Sequence, residues 1–166
     1  MVRAYLLAAS ICASSTTALM GSIAGSIANA GEPIRNLAGR WAGNGTVVPA
    51  SGPSETFKCV ITYFPSDDGA RIKQNLRCKG VSYSFDAATH LQIAGVQVTG
   101  QWNDNIYSMS GTVTGTLTDD GFDILLSSRY FEARMRVVAN NCEQSVTVVP
   151  ERKDEMKELA AVLKKC

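Results

Sequence analysis

Histidine is all but missing from this chain. The only one is His90, in "DAATHLQIAG", and alternation turns it away from Leu91 and Ile93, toward a rim or an exposed loop. The sequence also lacks a G-x-S-x-G elbow, an H-E-x-x-H pair and a glycine-rich phosphate loop. The usual nucleophilic, metal-assisted and phosphoryl-transfer chemistries are therefore without their side chains. No catalytic residue is assigned, no metal or other cofactor is expected, and the chain reads as a binding protein, not an enzyme.

Charge of one sign is missing as well. The 16 Lys and Arg nearly balance 15 Asp and Glu, so nothing draws the chain toward nucleic acid over long range. Beyond the first thirty residues no apolar run is long enough to cross a bilayer as a helix. C-x-x-C spacing is absent, and with no histidine partner the cysteines do not form a zinc pattern. The two "DDG" runs at 67–69 and 119–121 do not continue into the spaced oxygen ligands of a calcium loop. Turn chemistry accounts for both.

The first thirty residues read as a secretory leader: Arg3, an apolar run of small residues, then Ala28-Asn29-Ala30. Cleavage is expected after Ala30, since Ser14 to Thr17 interrupt what would otherwise be a membrane span. Residues 31–166 then form one domain, periplasmic or secreted, with no transmembrane segment. Export changes how the cysteines read: Cys59, Cys78, Cys142 and Cys166 remain, an even number in an oxidising compartment, which favours two disulfides.

Over residues 40–149 apolar and polar residues alternate, broken by Asp68-Gly69, Asp104-Asn105, Asp120-Gly121 and Asn140-Asn141. Each dipeptide suits a two-residue hairpin loop, so the pattern predicts an antiparallel meander. A loop at Asp68-Gly69 sets Cys59 opposite Cys78, at a hydrogen-bonded site unless the loop is longer. The same counting sets Trp102 opposite Tyr107 with Gly100 opposite Met109, Leu117 opposite Ile124, and Met135 opposite Val146. The inner face so defined runs from Trp41 through Ile61, Tyr63, Val96 and Trp102 to Val148, with Gly43, Gly45, Gly100, Gly111 and Gly115 in the same register.

About eight or nine strands with one apolar face close into a barrel, which removes exposed edges. In "PERKDEMKELAAVLKKC" the spacing of Met156, Leu159, Ala160 and Leu163 predicts instead a C-terminal helix over 151–165, starting at Pro150. A strand out from Cys142 and a helix back would bring Cys166 near Cys142. The favoured pairings are Cys59 with Cys78 and Cys142 with Cys166.

"LAGRWAGNGTV", residues 37–47, resembles the opening strand of the calycin superfamily, lipocalins and avidins among them, where Gly-x-Trp, here Gly39-Arg40-Trp41, sets a tryptophan at the closed end of the barrel. That likeness implies an all-β, antiparallel, up-and-down calycin-like barrel. The mature chain is also similar to small exported alphaproteobacterial proteins of unknown role, in its L-x-G-x-W, its "QNLRC" strand and its closing cysteine. A fainter likeness is to periplasmic metalloprotease inhibitors, which would send Gly31 to Asn36 into a protease cleft.

The expected partner is a small apolar molecule or lipid, in the barrel or at its mouth, with Trp41, Tyr63, Trp102 and Tyr107 as contacts. The alternative is a protein partner, as for a periplasmic protease inhibitor or a cell-envelope maintenance factor. Arg71, Lys73 and Arg77 with Arg134 and Arg136 would form one basic patch if their strands were neighbours.

Overall fold

The structure, a computed structural model, describes residues 31–166. The leader expected over residues 1–30 lies outside the described residues. A short helix, α1 (Gly31–Leu37), precedes ten strands: β1 (Gly39–Pro49), β2 (Glu55–Pro65), β3 (Arg71–Lys79), β4 (Ser84–Ala94), β5 (Gln97–Asp104), β6 (Met109–Thr118), β7 (Gly121–Ser128), β8 (Glu132–Asn140), β9 (Glu143–Pro150) and β10 (Met156–Lys164). Each strand pairs antiparallel with the next, and β1 pairs with β10, closing the ring. The expected all-β, antiparallel, up-and-down barrel is found, with ten strands in place of eight or nine.

The C-terminal helix expected over 151–165 is absent, and most of that stretch is β10. Its residues meet helix spacing and strand alternation alike: Leu159, Ala161 and Leu163 turn inward, while Val162 stands 51% exposed. Closure decides between the two readings. Without a tenth strand the edges of β1 and β9 would be left unpaired, whereas β10 pairs with both. Tertiary demand thus overrides a modest helix preference.

The β2–β3 hairpin keeps the expected pairing but with a longer loop. At 66–70 the loop is longer than two residues and closes on the Ser66 N–H donating to the Arg71 carbonyl at 2.8 Å. Cys59 still meets Cys78, but alternation from that closing pair makes theirs a non-hydrogen-bonded site. Their Cα atoms are 4.1 Å apart and the disulfide is formed. Pro65, which has no N–H to give, falls at a non-hydrogen-bonded position in the same ladder. The second disulfide joins Cys142 to Cys166, as expected, although a returning strand and not a helix brings them together.

Three registers differ from expectation. The β5–β6 loop spans Asn105 to Ser108, so Trp102 faces Gly111 and Met109 faces Asp104. Leu117 faces Phe122, and Met135 faces Val148. All three shifts are even, which keeps the paired strand residues on their expected faces. Val96, expected inside, lies in the β4–β5 turn and is 56% exposed.

The inward glycines let the wall bend. A methyl group on Gly43 would lie 2.1 Å from the Val162 carbonyl oxygen and 2.9 Å from the Leu163 Cα, so only glycine lets β1 approach β10 this closely. The space over Gly45 is filled by the Phe57 ring, 2.3 Å from where a Cβ would stand.

The Cys142–Cys166 bond ties the last residue to the β8–β9 turn and so secures the seam where the ring closes. With cysteines 24 residues apart, its removal is expected to cost about 3 kcal/mol. Denaturant titration of C142S/C166S should show a loss of that size, with faster amide exchange in β10 and α1. A C59S/C78S variant should lose comparable stability without faster exchange in β10 or α1.

Candidate functional site

The two ends of the barrel are built differently. At one end lie the chain's shorter turns, residues 95–96, 119–120 and 141–142, together with the loop at 66–70 and α1. Ile34 and Leu37 of α1 are fully buried here beside Trp41. The Trp41 indole N–H donates to the Leu37 carbonyl at 2.7 Å. From the other side the Lys165 ammonium donates to the Asn36 carbonyl at 2.7 Å and stands 4.8 Å from the centre of the Trp41 ring. This end is plugged.

Gly31–Leu37 is therefore a helix docked on the barrel by two buried side chains, not a free arm reaching for a protease. Trp41, expected as a ligand contact, is 0% exposed and packs within the plug.

Loops of three to five residues ring the opposite end: 50–54, 80–83, 105–108, 129–131 and 151–155. Inward apolar side chains here are only partly buried. Leu76, Phe85, Met109, Leu126, Phe131 and Val148 all pack against the core yet keep contact with solvent. The Phe131 and Trp102 rings are 5.4 Å apart, tilted by 42°. Asp104 shapes the rim. Its carboxylate accepts the Ile106 and Tyr107 N–H groups at 2.9 and 2.8 Å, and the Asp86 N–H at 3.1 Å, fixing the β5–β6 loop to β4. Tyr107 sits on that loop, 50% exposed, and does not face Trp102.

Between the ends a polar row descends the inner wall. Cross-strand partners run from Trp102 to Thr89, from Thr89 to Gln74, and from Gln74 to Tyr63. Tyr63, buried near the plugged end, accepts a hydrogen bond from Gln144 Nε2 at 3.2 Å across the interior. Burial pushes the Tyr63 phenol well above its ordinary range, partly offset by Gln144, so it stays neutral. Two buried atoms lack partners among the described residues, Trp102 Nε1 and Gln144 Oε1.

Of the four expected contacts, then, Trp102 is at the mouth, Tyr63 is deep in the interior, Trp41 is in the plug and Tyr107 is on an outer loop. Sequence reasoning missed Gln74, Thr89 and Gln144. The signal was present: each lies two residues from an inward apolar residue, Ile72 or Leu76, Leu91, and Val146 respectively.

The outer surface does not assemble the expected basic patch. Strands β3 and β8 lie on opposite sides of the ten-strand ring, and Arg134 and Arg136 pair with Glu151 and Asp123 at 3.2 and 3.8 Å. Beside β3 an outer groove of about 410 Å³ is lined by Lys58, Arg77 and Lys79, with Arg77 already 3.5 Å from Asp86. Among the described residues no cluster of His, Cys, Asp or Glu is arranged to hold a metal ion, and no helix is long and apolar enough to cross a membrane.

No family model matches the chain, and no curated protein matches it either. Solved structures do. Rv2717c from M. tuberculosis superposes with a TM-score of 0.66 at 15% identity, over 84% of this chain and 98% of its own. The S-type phycobiliprotein lyase CPES from Guillardia theta superposes with a TM-score of 0.58 at 10% identity, over 80% of this chain and 90% of its own. At these identities the likeness is one of fold and carries no activity. That fold is the closed antiparallel barrel expected from the calycin-like opening.

The Tyr63–Gln144 bridge can be tested by double substitution. Y63F leaves the Gln144 amide buried without a partner, an expected cost of about 1 to 3 kcal/mol. Adding Gln144→Leu removes the stranded amide, so the double variant should be more stable than Y63F alone in urea titrations.

Proposed function

We propose that this protein binds a small apolar molecule or lipid in the open mouth of its barrel, and that it acts by binding and not by catalysis. The observation that carries this reading is the contrast between the ends. Apolar side chains are sealed under α1 at one end but left half covered around Trp102 at the other. Partly exposed apolar surface at this end forgoes stabilisation of about 25 cal/mol per Å², which an apolar occupant would supply. Small-molecule sites are usually apolar with a few polar groups.

Export to the periplasm or beyond belongs to the same proposal. Two disulfides between cysteines far apart in sequence favour an oxidising compartment, in keeping with the leader-like pattern of the first thirty residues.

Native mass spectrometry of the purified protein should detect a co-purifying apolar molecule, or apolar fluorescent probes should quench its tryptophans. Phe131→Arg, at the mouth, should weaken probe binding at least about tenfold, since burying an unpaired charge is costly. Val96→Arg, in the exposed turn at the plugged end, should leave it unchanged. Absence of both bound molecule and quenching would sink the proposal.

A further inference from the structure

We infer that the ligand is an electrically neutral, mostly apolar molecule bearing one hydrogen-bond-accepting oxygen, a carbonyl, ester or hydroxyl, which takes up the unpartnered Trp102 indole N–H. The inference rests on the apolar-ligand reading and narrows its chemistry.

The first observation is the orphaned donor. Trp102 is 8% exposed, and its Nε1 has no hydrogen-bond partner among the described residues. A buried donor left unmet costs about 1 to 3 kcal/mol, so its retention asks for an occupant that satisfies it. Its nitrogen packs over a glycine: a methyl on Gly111, the cross-strand partner of Trp102, would come within 2.7 Å of it.

The second observation is the neighbouring polar side chains. Thr89, directly across from Trp102 on β4, and Gln74 beyond it keep only 9% and 7% exposure. They lie on the β4 side of Trp102, whereas its Nε1 packs over Gly111 on the β6 side, so the indole N–H alone is assigned to the ligand oxygen.

The third observation excludes an anionic head group. Among the described residues every lysine and arginine is exposed, and so is His90. No cation reaches the inner wall to compensate a carboxylate or phosphate, and an unpaired charge there carries a heavy desolvation cost. The one buried carboxylate near the mouth, Asp104 at 6% exposure, would repel an anion further.

Four ten-carbon probes that differ only at the head test this: decane, decanol, methyl decanoate and decanoate at pH 8, each below its aggregation limit. The ester and the alcohol should bind best and shift the Trp102 indole N–H resonance, while that of Trp41, already bonded to Leu37, stays in place. Trp102→Phe, which keeps an aromatic ring, should weaken ester binding by about threefold to tenfold and leave decane within twofold. Decanoate binding as tightly as the ester would overturn the inference of neutrality. Decane binding as tightly as the ester, with the Trp102 resonance unmoved, would overturn the role of the indole. In either case the apolar-ligand reading would stand. Failure of all four probes to bind, with no co-purifying molecule, would overturn both.

Discussion

The hydrogen-bonded seam between β1 and β10 is the constraint on which the rest depends. Ten strands with one apolar face have no stable open arrangement in water, because two edges and the whole inner face would be exposed together. Pairing Ala42 with Lys164 and Val47 with Leu159 removes both edges at once. The seam is tight because Gly43 has no side chain to hold β1 and β10 apart. It also places Lys165 over Trp41 and against the end of α1, so the plug at that end is a consequence of closure. The Cys142–Cys166 bond then fixes the chain end where the seam requires it.

Much of this architecture was legible from alternation and turn residues. Trp41, Ile61, Tyr63, Ile72, Val98, Val113 and Ile124 face inward as their spacing implies, and both disulfides join the cysteines that simple geometry pairs. What was illegible has identifiable causes. "MKELAAVLK" carries helix and strand periodicities together, and only the demand of an unpaired edge selects between them. The β5–β6 loop is lengthened by Asp104, whose carboxylate caps two N–H groups in the loop. A local dipeptide rule has no knowledge of such a cap. Ile34 and Leu37 lie before the first strand, where no alternation exists to mark them, yet they close one end.

The candidate site was less legible than the fold. Aromatic residues on a predicted inner face look alike in sequence, whether they fill a plug, bridge the interior or line a mouth. Position along the barrel axis separates them, and it depends on strand stagger, which the alternation pattern does not encode. The polar row of Thr89, Gln74 and Tyr63 was easier to find in principle, because each member interrupts an inward apolar series. Polar residues in such positions cost stability unless paired, so an inward Gln or Thr in a barrel strand signals either an internal partner or a guest. Tyr63 has its partner in Gln144. Trp102, higher in the same row, has none.

That difference along one row gives the interior a direction. Near the plug, Tyr63 and the Gln144 Nε2 group answer one another and most inward apolar side chains are buried, although Gln144 Oε1 has no partner among the described residues. Toward the mouth the indole N–H has no acceptor among the described residues, and Phe131, Leu126 and Met109 are only partly buried. The rim itself is not loose, since Asp104 holds the β5–β6 loop and β4 through three backbone hydrogen bonds. A pre-shaped rim loses little conformational freedom on binding, so more of the contact energy is expressed as affinity. The proposed binding of a small, uncharged guest rests on this firm rim together with the partly buried apolar wall and the unmet donor.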